Sequence, residues 1–425
     1  MKIERLSAVS GMVMSLAVIF VSVSQGQEWT RFRGPNGQGI SHARNIPVKW
    51  TEDDYNWKVE LPGGGHSSPV LWGDKLLVTC GDQKTGSGVL LALRTSDGKP
   101  LWREEYAMST YRMNKLNSYA TATPAVDADH VYTLWPAAEQ IILVATDHDG
   151  TETWRRTFGG HHSQHGSGTS PIVFDGIVVF TCEHEDSSKK DARSSWIALE
   201  RRTGQTRWEL PRQTGPKTSY STPSVYSPAS GAAQLIFASQ RHGITGVDPR
   251  TGKVVWEVES AFPSRVVSSP VIAGGLLIGS CGDGANGKRL IAIRPGARGK
   301  STGPEEVYKI EDGAPYVPTS IAAAGLLFTF HDRGYASCLR SDTGEQLWRE
   351  KAAKRLYGSP VWADGKLYCI TTDGEVLVIR AGEIYELLAT NFLGEKSHAT
   401  PAIAGGIMYL RTYSHLISIG PKKGR

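Results

Sequence analysis

Cysteine is scarce in this chain and never grouped: Cys80, Cys182, Cys281, Cys338 and Cys369 stand singly, with no CxxC and no vicinal pair. A dense disulfide framework or a structural zinc site would cluster its sulfurs, so neither is expected. Most of the five end apolar runs such as "LLVTC" and "VVFTC" and read as core packing residues, and the sequence assigns no pairing to them. Long hydrophobic runs are missing too, apart from one at the start. "MKIERLSAVSGMVMSLAVIFVSVSQGQ" has a short charged head, an apolar stretch and then small residues, the pattern of a secretory signal cleaved near residue 24 or 26. No cysteine follows it, so a lipoprotein anchor is not expected, and no second run is long enough to span a bilayer. Charge of one sign is not concentrated anywhere: the net value is +5 and Lys and Arg are scattered, which gives no reason to expect a nucleic-acid partner. Helical periodicity is absent, and the glycines lack the strand-to-helix context of a nucleotide fingerprint.

A repeat is what the sequence does have. Five segments place Gly four residues before Trp: "SDGKPLW", "HDGTETW", "RTGQTRW", "RTGKVVW" and "DTGEQLW", ending at Trp102, Trp154, Trp208, Trp256 and Trp348. Before each lies an apolar run, and before that a stretch opening with small polar residues and usually proline, as in "SSPVLWGDKLLVTC" and "TSPIVFDGIVVF". Eight such openings recur at intervals of about 40 to 55 residues. Each unit reads as four short strands, with hairpin turns at Gly or Asp-Gly. Eight four-stranded units predict an all-β, eight-bladed β-propeller, with the small residues on the innermost strands and Trp at the outer edge. Two units lack Trp, and Tyr308 and Tyr385 are expected in its place. The last unit lacks its fourth strand, which "DDYNWKVEL" supplies with Trp57 in the Trp position, closing the ring without an exposed edge. The expected divisions are 1–26 as signal peptide, 27–57 as N-terminal segment and closing strand, and 58–425 as propeller.

These residues resemble the PQQ-like β-propeller repeat family, whose blades carry a docking motif from Ala through Gly to Trp over eleven residues. Ala92 to Trp102 and Ala198 to Trp208 match fully, while Val144, Gly246 and Cys338 stand in for Ala elsewhere. "EWTRFRGPNGQGIS" is similar to the start of secreted members. The family includes quinoprotein dehydrogenases and the outer-membrane assembly scaffold BamB, so the fold does not choose between enzyme and scaffold. In the dehydrogenases the resemblance implies pyrroloquinoline quinone (PQQ) over the axis, a vicinal-cysteine disulfide against it, and calcium held by carboxylates and amides. This chain has no vicinal cysteines and no mappable calcium set, so PQQ with calcium is disfavoured and no cofactor is expected.

The loops entering the inner strands should crowd one mouth of the axial channel. His66, Tyr220, Tyr357 and His398 stand three residues before the aligned proline, and Tyr119, Arg265, Arg355 and Lys396 stand five before the aligned position. Units seven, eight and one adjoin in a closed ring, which puts Tyr357, His398 and His66 side by side. The stretch "FGGHHSQHGSGTSP" adds His161, His162 and His165, and alternation along an extended segment lets at most one of His161 and His162 join His165 as a metal ligand. A metal version would use His161 or His162 with His165 and His398, and His162 and His165 are the metal candidates. A polar ring for a ligand or cofactor is formed by His66, Tyr119, His165, Tyr220, Arg265, Tyr357 and His398. As catalytic residues, Arg265 or Arg355 would neutralise a uronate, His66 or His398 would take a proton and Tyr357 would return one, in a polysaccharide lyase-type site. "EHEDSSKKDAR" reads as a solvated hairpin excursion and "CGDGANGK" as a glycine hairpin rather than a calcium loop. The leading expectation is a periplasmic or secreted, monomeric, non-enzymatic scaffold for a protein or glycan partner. The alternative is an enzyme at the funnel, either lyase or PQQ-dependent dehydrogenase.

Overall fold

In the computed structural model, residues 29–137, 140–185, 194–296 and 303–421 are described. The signal-like segment 1–26 lies outside them. Eight sheets stand around one axis, each with four antiparallel strands in the order inner to outer. Blade 1 runs Val70–Trp72, Lys75–Gly81, Gly88–Arg94 and Pro100–Tyr106, and the next six blades follow the same sequence. Blade 8 takes Ala402–Ala404, Ile407–Arg411 and His415–Ile419 from the end of the chain and its outer strand, Tyr55–Glu60, from near the start.

Burial explains these strands. The two middle strands of each blade are covered on both faces by neighbouring blades and read as unbroken apolar runs, as in Ile177–Cys182, where every residue is buried. Outer strands cover one face only and alternate, as in Glu152–Gly159. The apolar core is accordingly divided into sectors between adjacent blades rather than gathered at one centre. One sector joins Tyr132 and Leu134 to Val178 and Phe180, and the next joins Val179 and Trp196 to Leu235 and Phe237.

Each docking Trp sits at a register shift in the outer strand, opposite a small residue of the third strand: Ala92 for Trp102, Ala198 for Trp208, Gly246 for Trp256 and Cys338 for Trp348. A larger side chain there would fill the space the indole occupies; a Cβ added to Gly246 would fall 2.4 Å from the Trp256 ring. In blade 2 the partner is Ala145, not Val144, because the turn is one residue tighter. Most of the indoles then bond into the following blade. Trp57 Nε1 donates to the Thr95 carbonyl (3.0 Å), Trp102 to His148, Trp154 to Arg201, Trp208 to Pro249 and Trp348 to Gly382. Trp256 instead donates to Gln234 Oε1 within its own blade, at 2.7 Å. Tyr308 takes the Trp position of blade 5, its hydroxyl donating to the Ser341 carbonyl. Tyr385 does not take that of blade 7. Ala389 is the residue at the register shift, and Tyr385 instead packs edge-on against Trp348, with ring centres 5.1 Å apart. Trp50, from the N-terminal segment, shares the core cluster of Ala389 and supplies the missing bulk.

Residues 29 to 41 form a plug across the axis. The carbonyls of Trp29, Thr30 and Gly39 accept backbone N–H groups of Leu71, Val126 and Trp362 on three inner strands. Asn36 exchanges two hydrogen bonds with Val225, Gln38 Oε1 accepts the Ile272 N–H, and Ile40–Ser41 pairs in parallel with Val361–Ala363. Gly34 makes the tight bend possible. Its φ is +65°, and a Cβ there would lie 2.5 Å from the ring of fully buried Trp29.

Candidate functional site

The inner strands begin after a Ser or Thr that in seven blades precedes a proline and in blade 6 precedes Ser320. These hydroxyls are linked around the axis. The backbone N–H of Ser68 donates to Thr123 Oγ1, Thr123 to Ser170, Ser170 to Thr222, Thr222 to Ser269, Ser269 to Thr319, Thr319 to Ser359 and Ser359 to Thr400, at 2.9 to 3.3 Å. The girdle is open only between Thr400 and Ser68, whose buried Oγ has no partner. Above it the entering loops enclose a cavity of about 630 Å³, and Phe32 of the plug closes its floor. The channel is therefore a funnel with one mouth.

His66, His165, Tyr220, Arg265, Arg355, Tyr357 and His398 all line this funnel. The rings of His66 and His398 lie 4.6 Å apart, tilted by 35°, and Tyr357 meets His398 edge-on at 5.0 Å. Burial, then the neighbouring His398 and Arg411, lowers the His66 pKa to about 3, so the imidazole is neutral, and its Nδ1 is buried without a partner. On the far wall Arg265 donates to His165 Nε2 at 2.8 Å and to Glu185 Oε1 at 2.9 Å. Its charge is thus matched by Glu185. Arg355 forms no ion pair among the described residues and approaches only the Tyr357 hydroxyl, at 3.5 Å. Tyr119 turns aside, its hydroxyl on the Tyr111 carbonyl.

The three histidines of the glycine-bracketed loop separate. The rings of His161 and His162 lie 6.0 and 5.6 Å from that of His184, while His165 faces Arg265. Among the described residues no group of three or more His, Cys, Asp or Glu side chains is placed to hold a metal.

Several lining groups were not anticipated. Asp332 is buried, with Oδ2 accepting the Val317 N–H and Oδ1 without a partner, and burial raises its pKa to about 6. "CGDGANGK" is the glycine hairpin expected, but its tip overhangs the mouth, and Asp283 there pairs with Lys217 at 2.5 Å. The described start of "EHEDSSKKDAR" is not solvated. Glu183 is buried and accepts from the Trp196 indole and Ser239, and Glu185 holds Arg265; residues 186–193 lie outside the described set. The one sequence signal for the girdle was the recurring Ser or Thr before proline.

The funnel does not fit the calcium and quinone pair that the dehydrogenase resemblance implies. Asp283 is tied to Lys217, Glu185 to Arg265, and Asp332 stands apart, so among the described residues no carboxylate set converges on one point. All five cysteines are buried free thiols within strands.

Fold and cavity together define a closed eight-bladed propeller with a single-mouthed axial funnel. The chain belongs to the PQQ-like propeller family: the profile described as outer membrane protein assembly factor BamB matches residues 48–184, 112–305 and 312–425. Its fold is similar to that of BamB from Moraxella catarrhalis (TM-score 0.59, 14% identity, covering 87% of this chain and 98% of that one). It is also similar to a europium-containing methanol dehydrogenase (0.70, 11%, 95% and 100%) and to quinohemoprotein alcohol dehydrogenase from Comamonas testosteroni (0.66, 12%, 96% and 83%). No curated protein sequence matches the chain.

Proposed function

We propose that this chain is an exported, monomeric binding propeller that holds a glycan in its funnel without turning it over. The observation that carries this reading is the blind funnel itself, where His, Tyr, Arg and a girdle of hydroxyls converge on a space the size of a small polar ligand. The signal-like first 26 residues support export, which is in keeping with the BamB description of the family. The test is a thermal-shift panel of neutral and acidic oligosaccharides on the parent protein and on a His66→Ala, His165→Ala, His398→Ala triple variant. A saccharide that raises the melting temperature of the parent only is the expected result; a panel that moves neither protein overturns the funnel reading. Absorbance of unsaturated product from a uronate polymer would replace binding with lyase chemistry at His66, His398 and Tyr357.

A protein partner is the second reading, favoured by blade 7. Its outer edge exposes Leu387 and Phe392, and the turn before it exposes Ile384.

A further inference from the structure

The hydroxyl girdle has spare donors. Ser170, Thr222, Ser269, Thr319, Ser359 and Thr400 all face the cavity, and each oxygen already accepts a backbone N–H from the preceding blade. Among the described residues none of the six hydroxyl protons has a protein acceptor, so all six are available to whatever lies on the floor. Two cations lie behind the floor, outside the cavity lining itself. Arg33 is fully buried and donates to the carbonyls of Thr319 (2.8 Å) and Ser320 (3.0 Å), and Arg31 donates to the carbonyl of Pro223 (2.6 Å). These carbonyls belong to the girdle residues or their immediate successors, so both guanidiniums lie directly beneath the ring. Neither forms an ion pair among the described residues, both Nε atoms lack partners, and burial lowers both pKa values to about 9. Convergent donors on the girdle, with two unpaired cations behind them, favour an anion there.

Two further groups narrow the class. Phe32 is half-buried, with its ring on the cavity side of the plug, and gives a flat apolar surface suited to a sugar face. Asp332 Oδ1, buried and unpartnered on the same cavity, needs a hydrogen-bond donor that a simple anion lacks. We infer that the floor of the funnel binds the terminal acidic sugar of a glycan, with its carboxylate on the hydroxyl girdle, its ring on Phe32 and a ring hydroxyl on Asp332. This inference rests on the funnel reading above.

Titration calorimetry of the full chain with glucuronate, glucose and acetate tests it, on the parent and on Phe32→Leu, which keeps apolar bulk but removes the ring. Glucuronate should bind the parent at least tenfold more tightly than glucose or acetate, and Phe32→Leu should lose at least fivefold. Equal binding of glucose removes the anion from the proposal, and equal binding of acetate removes the sugar; either overturns it. If Phe32→Leu does not fold, crystals of the parent with glucuronate decide, since a carboxylate away from Ser269, Thr319 and Ser359 is equally fatal. An oligosaccharide whose binding needs the histidine rim but ignores Phe32→Leu would sink the floor site and leave the proposed function standing. No saccharide binding at all would sink both.

Discussion

Trp208 and Gly252 show how single residues hold neighbouring blades together. The indole of Trp208 is nearly buried and donates to the Pro249 carbonyl, and a Cβ on Gly252 would lie 2.7 Å from its ring, at a φ of +69°. The glycine is needed twice, once for its backbone and once for the space the ring takes. Trp208→Ala should therefore cost on the order of 3 to 5 kcal/mol and lower the melting temperature in a single transition. Gly252→Ala should cost clearly more in the parent than in the Trp208→Ala background, where only the backbone strain of about 1 kcal/mol remains. Additive costs in a double-mutant cycle measured by urea unfolding would show that the two do not interact.

Blade 7 shows where the repeat pattern is legible and where it stops. The Gly-to-Trp spacing located the outer strands of five blades, because each such Gly makes the turn into its own outer strand and there receives the aromatic ring of the preceding blade, as Gly204 receives Trp154. It misplaced Tyr385 because the shortened turn shifts the register, and Ala389 then leaves a gap that Trp50 fills from outside the repeat. The segment is clipped there by the Trp50 N–H on Asn391 Oδ1 (3.0 Å), Asn391 Nδ2 on the Val48 carbonyl (2.9 Å) and the Tyr368 hydroxyl on the Ile46 carbonyl (3.2 Å). No period in the sequence announces such a contact. The rim was readable for a related reason: His66, Tyr357 and His398 occupy equivalent repeat positions, and their proximity follows from ring closure. Asp332, Phe32 and the buried Arg31 and Arg33 occupy no equivalent position, and the polar three bond to backbone groups that any sequence provides, Asp332 to the Val317 N–H and the arginines to carbonyls. Trp50→Ala should cost about 3 kcal/mol and raise amide exchange in Leu387–Phe392 more than in the outer strands of the other blades. Uniform exchange across all outer strands would show that Trp50 does not secure blade 7.

At the scale of the whole molecule, pH sets the balance of the fold. Burial holds the pKa of His66 at about 3 and those of His161, His184 and His331 at about 4, below the ordinary 6.5. The unfolded chain therefore takes up protons that the native state refuses, so stability is intact above about pH 6.5 and falls as pH drops toward 4. Asp332 and Glu183 work the other way, since burial raises both carboxyls and relieves a cost as pH falls, but they are two groups against seven once the lowered His130, His165 and His398 are counted. The melting temperature should decline steadily from pH 6.5 to 4; a flat profile over that range would mean the histidines are solvated. Closure adds a constraint of a different kind. Tyr55–Glu60 leaves the ribosome before blade 1, yet its partner His415–Ile419 emerges only after seven blades have been made. Until then the ring has a waiting strand and no place to put it. Blades can form one by one along the growing chain, but the circle locks only once blade 8 is made, so a copy that stops short of His415 keeps an open edge by which proteases can recognise it.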